Sequence, residues 1–115
     1  SMSLYADYIK ETKDHTVVED ENGFYEYSLK ENCVYLENIY VKPSARGFRI
    51  VKNYIKELGQ IAEKHDLPCV TGVVNIAHHN ANNILMLYLK NNVSVIGAVD
   101  NNIYVSIGTC DITPL

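Results

Sequence analysis

The sequence predicts one α/β domain with a mixed sheet, and three observations support this fold class. The chain has 115 residues, which is enough for one hydrophobic core. From Arg46 to Ala62, apolar residues recur at the spacing of an amphipathic helix. Apolar runs on both sides of that stretch predict strands, in the order helix, three strands, helix, strand, helix, two strands. This order predicts an antiparallel meander and a right-handed crossover through the long helix.

The first half of the chain predicts a helix and three strands. The helix is expected at Leu4 to Ile9, and the strands at His15 to Glu19, Phe24 to Leu29 and Cys33 to Val41. Asn22-Gly23 predicts a type I′ hairpin turn, because both residues tolerate a positive φ. In the second strand, the face with Tyr25, Tyr27 and Leu29 is expected to point to the core.

The second half predicts one more helix and three more strands. Pro43 ends the third strand, and Leu67-Pro68 closes the long helix. The later strands are expected at Cys69 to Val74, Val93 to Val99 and Ile103 to Ile107, and the later helix at Ala81 to Tyr88. We therefore divide the chain into a short N-terminal helix with a tag remnant (1–14), a domain (15–108) and a tail (109–115).

Composition excludes some classes of function. A formal charge of −4 and a pI near 5.5 argue against sequence-independent binding to nucleic acid, which requires a basic surface. No apolar run has the length of a membrane span, and the N-terminus does not have the layout of a signal peptide. Cys33, Cys69 and Cys110 are widely spaced, which favours buried free thiols. We expect a cytoplasmic protein without a membrane partner.

The stretch from Cys33 to Val51 is the most informative part of the sequence. It predicts a strand, a short loop and the beginning of a helix, an arrangement that directs free backbone N–H groups at one point and binds phosphate. Arg46 and Arg49 lie at this helix start, where cations are unfavourable unless an anion binds nearby.

The chain resembles the GNAT-type N-acetyltransferase family over roughly residues 15 to 107, and three short segments carry the resemblance. Glu37 to Pro43 resembles the family's strand of a glutamate, an apolar triplet and a proline. Arg46-Gly47 resembles the start of its pyrophosphate loop, and Leu87 to Asn92 resembles its tyrosine helix. The resemblance implies the GNAT fold in a form trimmed at the N-terminal side, a region that commonly helps to shape the acceptor side of the cleft.

The resemblance implies roles for individual residues. Glu37 is expected to be the general base, and Tyr88 the general acid that protonates the leaving thiolate. Asn80 would contact the cofactor arm. On the residues alone, Glu37 could equally be a carboxylate paired with Lys42 or Arg46, Tyr88 a core tyrosine and Asn80 a plain helix cap.

The implied cofactor is acetyl-coenzyme A. The backbone N–H groups of Ile39 and Val41 would pair with its pantetheine arm. Its pyrophosphate would be held by the loop, which consists of Arg46, Gly47, Phe48, Arg49, Ile50 and Val51. The loop is degenerate, because Arg49 and Val51 stand where the family has small residues. Arg49 can pair with phosphate through its guanidinium, or it can fill the site and exclude the cofactor.

Two functions follow from this sequence. The first is an acetyl-coenzyme A-dependent N-acetyltransferase that acts on an amine of a small molecule or a protein. The second is a catalytically inactive scaffold of the same fold that binds a protein partner, as an accessory protein of a phage or mobile element. A homodimer is expected because exposed sheet edges need to be covered. His78-His79 has no third ligand at a useful spacing, so no metal is expected there.

Overall fold

A six-stranded mixed sheet flanked by three helices forms the domain. The computed structural model describes residues 3–108, with the backbone alone at Phe48. The helices are α1 (Leu4–Lys13), α2 (Phe48–Lys64) and α3 (Ala81–Lys90), with a 3-10 turn at Pro43–Ala45. The strands are β1 (Thr16–Glu19), β2 (Gly23–Leu29), β3 (Val34–Val41), β4 (Cys69–Asn75), β5 (Ser94–Val99) and β6 (Asn102–Gly108). The predicted fold class and element order are confirmed.

The strands lie in the order β1-β2-β3-β4-β6-β5. β1, β2 and β3 form the predicted antiparallel meander, and α2 then connects β3 to the parallel strand β4. β6 and β5 complete the sheet with antiparallel pairs. Within residues 3–108, none of the helices combines the length and apolar character needed to cross a bilayer. The predicted tag remnant, the tail 109–115 and Cys110 lie outside the described residues.

The main core lies between the sheet and the pair α2 and α3. The apolar stripe of α2 contributes Tyr54 and Leu58, and both are almost fully buried against Tyr25 and Val34 of the sheet. α3 adds Tyr88 to the same core. Burial of a large apolar side chain stabilises a fold by about 1.5–3 kcal/mol, so this stripe fixes α2 on one face of the sheet.

α1 covers the opposite face of the sheet, at β1 and β2. Ala6 and Ile9 of this helix pack against Val17. The face of β2 with Glu26 and Ser28 is therefore buried as well, although the sequence analysis assigned the core to the other face. That prediction holds for Tyr25 and Tyr27 and is wrong for Leu29, which is 48% exposed because it lies at the end of the strand.

The hairpin between β1 and β2 is confirmed, but its turn is not type I′. Asn22 and Gly23 do not have a positive φ. Instead, the Asp20 carboxylate accepts hydrogen bonds from the N–H groups of both residues and from the Tyr54 hydroxyl, at 2.7, 3.1 and 2.9 Å. Gly23 is needed for another reason, because a Cβ there would overlap the carbonyl oxygen of Tyr40 on β3. A side chain thus stabilises the turn that the sequence assigned to the backbone.

The cysteines follow the sequence prediction only in part. Cys33 is a buried free thiol, as expected. Cys69 is also buried, but it is disulfide-bonded, so the prediction of a free thiol is wrong at this position.

Candidate functional site

A cleft opens where the two parallel strands in the centre of the sheet separate. β3 and β4 pair only from Val34 to Leu36 and from Val70 to Gly72. Both strands continue past this point, to Val41 and Asn75, without further pairing to each other. The facing backbone edges beyond Leu36 are therefore left open to a ligand. The resulting cleft has a volume of about 980 Å³.

A β-bulge lies at the point where the cleft begins. Tyr27 pairs with Leu36 and Glu26 pairs with Asn38, which leaves Glu37 without a partner on β2. The extra residue reverses the alternation of side chains, so Leu36 and Ile39 both pack on the α2 side of the sheet. Glu37 lies on the opposite side, which α1 covers.

The Glu37 carboxylate is held by two polar groups and remains partly accessible. Ser28 donates a hydrogen bond from Oγ to Glu37 Oε2 at 2.6 Å. Nε2 of His15 lies 3.4 Å from the same oxygen. The side chain is 21% exposed and lines the cleft. Glu37 can therefore exchange a proton with a bound molecule.

The alternative pairing of Glu37 with Lys42 or Arg46 is wrong. The Arg46 guanidinium donates from Nε to the carbonyl oxygen of Val41 at 2.9 Å and lies 5.9 Å from the centre of the Tyr40 ring. No ion pair of Lys42 occurs within the part of the chain that the structure describes. Arg46 thus stabilises the end of β3 and does not pair with Glu37.

Tyr88 belongs both to the core and to the cleft. It is only 6% exposed, packs in the core between α2 and the sheet, and also lines the cleft. Burial raises the pKa of its phenol to about 12. Because burial disfavours the phenolate, the hydroxyl carries its proton at neutral pH, and the raised pKa also makes it a weaker acid than an ordinary phenol.

Most of the residues predicted for the site line this one cleft. They are Glu37, Ile39, Val41, Arg46, Gly47, Val51, Asn80 and Tyr88. Two predicted loop residues do not line it: Arg49 is exposed and Ile50 packs on the core. The side chain of Phe48 lies outside the described part of the structure. Arg49 therefore does not fill the cleft, whereas Val51 narrows it with a buried side chain.

α2 begins at Phe48, two residues later than predicted, because Pro43 starts a 3-10 turn. The Arg46 N–H, predicted to contact pyrophosphate, donates to the carbonyl oxygen of Pro43 at 3.4 Å. Gly47 occupies the N-cap position and provides no side-chain cap, and the first turn of α2 has no acidic residue. The N-terminus of α2 thus retains uncapped N–H groups beside the cleft.

Asn80 occupies the N-cap position of α3, but its side chain makes no capping hydrogen bond. Its N–H donates to Nδ1 of His78 at 3.1 Å, and the His78 ring stacks on His79. Asn80 thus occupies the predicted cap position without a side-chain capping bond, and within residues 3–108 no hydrogen bond of its side-chain amide is found. Among residues 3–108, no group of three or more potential ligands is placed to hold a metal ion.

Three polar residues of the cluster at Glu37 were not predicted from the sequence: His15, Glu26 and Ser28. Glu26 is 4% exposed, and its Oε2 lies 2.7 Å from Nδ1 of His15. The signal was present in β2, where Glu26 and Ser28 alternate on one face beside Phe24. The other face of β2 was predicted to point to the core, and the cover that α1 provides over this face is a tertiary feature.

Comparison with known proteins identifies the fold. No family model and no curated protein sequence matches the chain. Among solved structures, the PaiA N-acetyltransferase from Thermoplasma acidophilum, in complex with coenzyme A, matches with a TM-score of 0.71 and 18% identity. That match covers 92% of this chain and 69% of PaiA.

Two further structures are similar. The N-acetyltransferase PseH from Campylobacter jejuni, in complex with acetyl-coenzyme A, matches with a TM-score of 0.67 and 17% identity over 90% of this chain and 74% of PseH. The anti-CRISPR protein AcrVA5 matches with a TM-score of 0.68 and 16% identity over 82% of this chain and 98% of AcrVA5. The resemblance to the GNAT-type N-acetyltransferases is therefore confirmed, and this chain has their fold.

Proposed function

We propose that the chain is an acetyl-coenzyme A-dependent N-acetyltransferase that transfers an acetyl group to an amine. One observation carries the proposal: the bulged, partly exposed Glu37 and the protonated Tyr88 line the same cleft between the separated strands β3 and β4. Acetyl transfer to an amine requires a group that removes a proton and a group that supplies one. These two residues provide both functions.

The residues beside the cleft fit the proposed cofactor. The Lys42 N–H donates to the carbonyl oxygen of Asn22, on the β2 side. Because N–H directions alternate along a strand, those of Ile39 and Val41 point to the open edge and can pair with the pantetheine arm. The uncapped start of α2 can hold the pyrophosphate, with Arg49 at its exposed side.

The chain's own groups can perform the proton transfers. Acetyl-coenzyme A would supply the reactive thioester. Glu37 takes a proton from the ammonium form of the acceptor, and the nitrogen keeps its electron pair for attack. Tyr88 donates its phenolic proton to the departing thiolate, and the low polarity around its ring keeps that proton in place beforehand.

The second candidate function is a catalytically inactive scaffold that binds a protein partner. Two observations favour it. Val51 is buried at the point where the family loop has a small residue, and this narrows the approach to the α2 backbone. In addition, the similarity to the anti-CRISPR protein AcrVA5, which covers 98% of that chain, supports an accessory role but does not bear on catalysis.

Calorimetric titration with acetyl-coenzyme A separates these two functions. We expect micromolar binding to the unmodified chain and a loss of at least about tenfold in affinity for Arg49→Glu, because the substitution places a negative charge beside the phosphates. Lys56→Glu is the matched control. It makes the same charge change on an exposed position of α2, about 10 Å further along the helix, and is expected to bind normally.

Absence of heat and of a thermal shift at millimolar acetyl-coenzyme A would contradict the enzyme and favour the scaffold. Equal weakening by Arg49→Glu and Lys56→Glu would show a general charge effect and remove Arg49 from the site. After binding is established, release of free coenzyme A thiol in the presence of small amines and of poly-L-lysine would identify the acceptor as a small-molecule or protein amine.

A further inference from the structure

His15 lies between two carboxylates on the α1 side of the sheet. Its Nδ1 is 2.7 Å from Glu26 Oε2, and its Nε2 is 3.4 Å from Glu37 Oε2. Glu26 is buried, while His15 and Glu37 are 19% and 21% exposed in their side chains. His15 follows α1 directly and precedes β1, so the junction of these two elements positions its ring.

The chemistry of the ring defines what this arrangement can do. A carboxylate only accepts hydrogen bonds, so the short contact with Glu26 fixes a proton on Nδ1. Nε2 then faces Glu37 with a lone pair when the ring is neutral. An imidazole nitrogen and a carboxylate oxygen at this separation repel each other unless a proton lies between them. The contact is therefore repulsive while Glu37 is charged and the ring is neutral, and it becomes favourable once Glu37 or Nε2 receives a proton.

The other groups around the cluster agree with this reading. Tyr5 of α1 donates to Glu26 Oε1 at 3.2 Å, which leaves Oε2 of Glu26 for the ring. Asp14 pairs with Lys10 at 3.1 Å and is exposed. The titratable groups that face His15 are thus Glu26 from β2 and Glu37 from β3, with Tyr5 of α1 behind Glu26.

The geometry also distinguishes the two oxygens of Glu37. Ser28 and His15 both approach Oε2, so Oε1 is the oxygen left for a molecule in the cleft. Rotation about the terminal torsion of a glutamate is soft, which allows the two oxygens to exchange places. A proton received on Oε1 can therefore be presented to His15.

We propose that His15, oriented by Glu26, is a positioning residue that receives through Nε2 the proton that Glu37 removes from the acceptor amine. This inference rests on the proposed acetyl transfer. An N–H bond of the ammonium breaks and an O–H bond forms on Glu37. That O–H bond then breaks as an N–H bond forms on His15, which becomes an imidazolium between two carboxylates. Glu37 returns to its charged form, and His15, whose side chain is 19% exposed, loses the Nε2 proton to water when the contact with Glu37 opens.

The first test requires no activity. In a nitrogen-15 spectrum of the histidine-labelled chain at pH 7, we measure the fraction of His15 rings that carry two protons. Glu37→Gln keeps the size of the side chain and removes its charge, so we expect this fraction to fall about threefold or more. His65, at the C-terminus of α2, is the internal control and is expected to stay unchanged. An unchanged His15 signal would overturn the proposal.

The second test measures coenzyme A release with ethylamine and poly-L-lysine as acceptors. His15→Ala is expected to lose at least about tenfold in rate at pH 7 and to regain activity when free imidazole is added. If the alanine variant does not fold, His15→Gln replaces it and is expected to lose activity without rescue. Full activity of a folded His15 variant would overturn the relay. So would a loss of rate in His15→Ala that free imidazole does not restore.

The two tests keep this inference separate from the proposed function. Absence of turnover by the unmodified chain with every amine would refute the acetyltransferase, and the relay with it. The relay alone would be refuted if the unmodified chain turns over but the doubly protonated fraction of His15 is the same in Glu37→Gln.

Discussion

Replacement of Tyr88 by phenylalanine separates the chemical role of this residue from its role in the core. The phenol ring packs among core residues, and no hydrogen bond of its hydroxyl is found within residues 3–108. Tyr88→Phe retains the ring and removes only the oxygen. We therefore expect the free energy of unfolding to change by no more than about 0.5 kcal/mol.

The expected effect on rate is much larger. Burial raises the pKa of Tyr88 to about 12, so the hydroxyl is protonated over the whole neutral range and is a weaker acid than an ordinary phenol. Loss of a positioned general acid typically lowers a rate by about 10²–10⁴-fold. We expect Tyr88→Phe to lower kcat for acetyl transfer by at least about 10²-fold, with acetyl-coenzyme A binding changed by less than about threefold.

Tyr54→Phe is the matched control. The Tyr54 hydroxyl donates to the Asp20 carboxylate at 2.9 Å, and this bond connects α2 to the β1–β2 hairpin. Its loss is expected to cost about 1–2 kcal/mol of stability and to lower the melting temperature by several degrees, while kcat stays unchanged. Steady-state kinetics and thermal unfolding of the two variants provide the comparison.

The outcome that would refute this reasoning is specific. If Tyr88→Phe retains the full kcat, Tyr88 is a core residue and another group or water protonates the thiolate. If Tyr88→Phe lowers the melting temperature as much as Tyr54→Phe does, the Tyr88 hydroxyl has a structural partner. The loss of rate could then not be assigned to proton donation.

Three further predictions concern the hairpin, the cleft and the pH dependence of stability. Gly23→Ala is expected to lower the free energy of unfolding by more than about 2 kcal/mol in chemical denaturation, because its Cβ would overlap the backbone of β3. An unchanged free energy of unfolding would contradict the close approach of β2 to β3 at this residue. Val51→Ala widens the cleft and is expected to tighten acetyl-coenzyme A binding in calorimetry while it costs about 1–2 kcal/mol of stability. Weaker binding would show that Val51 contacts the cofactor. Burial raises the pKa of Tyr25 and Tyr54 above the ordinary value of 10.0, so both ionise first in the unfolded chain. Stability is therefore expected to fall as pH rises past about 10, by up to about 1.4 kcal/mol per pH unit for each phenol, and denaturation of Tyr25→Phe and Tyr54→Phe should show a smaller fall.

The elements of the fold could be predicted from local sequence, and the contacts between them could not. The periodicity of α2 and the apolar runs of β3 and β4 specified those elements, because the side-chain period alone distinguishes a helix from a strand. The start of α2 was placed two residues too early, since the 3-10 turn after Pro43 has no periodic signal. The turn before Gly23 was assigned the wrong type, because the Asp20 side chain that holds it also bonds to the distant Tyr54.

The candidate site shows the same division. The family resemblance identified Glu37 and Tyr88, and both line the cleft. The bulge at Glu37 and the contact with His15 became visible only in three dimensions, because bulge position depends on strand register. Arg49 illustrates the converse: the sequence left open whether it pairs with phosphate or fills the site, and helix geometry turns its side chain to solvent.

By itself, the sequence determined the order of the elements, the mixed α/β class and the residue types available for acid–base chemistry. These properties depend on local periodicity and side-chain chemistry, which are independent of distant partners. Only the tertiary structure decided that β3 and β4 separate after Leu36, that Glu37 bulges to the α1 side and that His15 lies between two glutamates. Such relations depend on register and packing between segments far apart in the chain, and no local pattern encodes them.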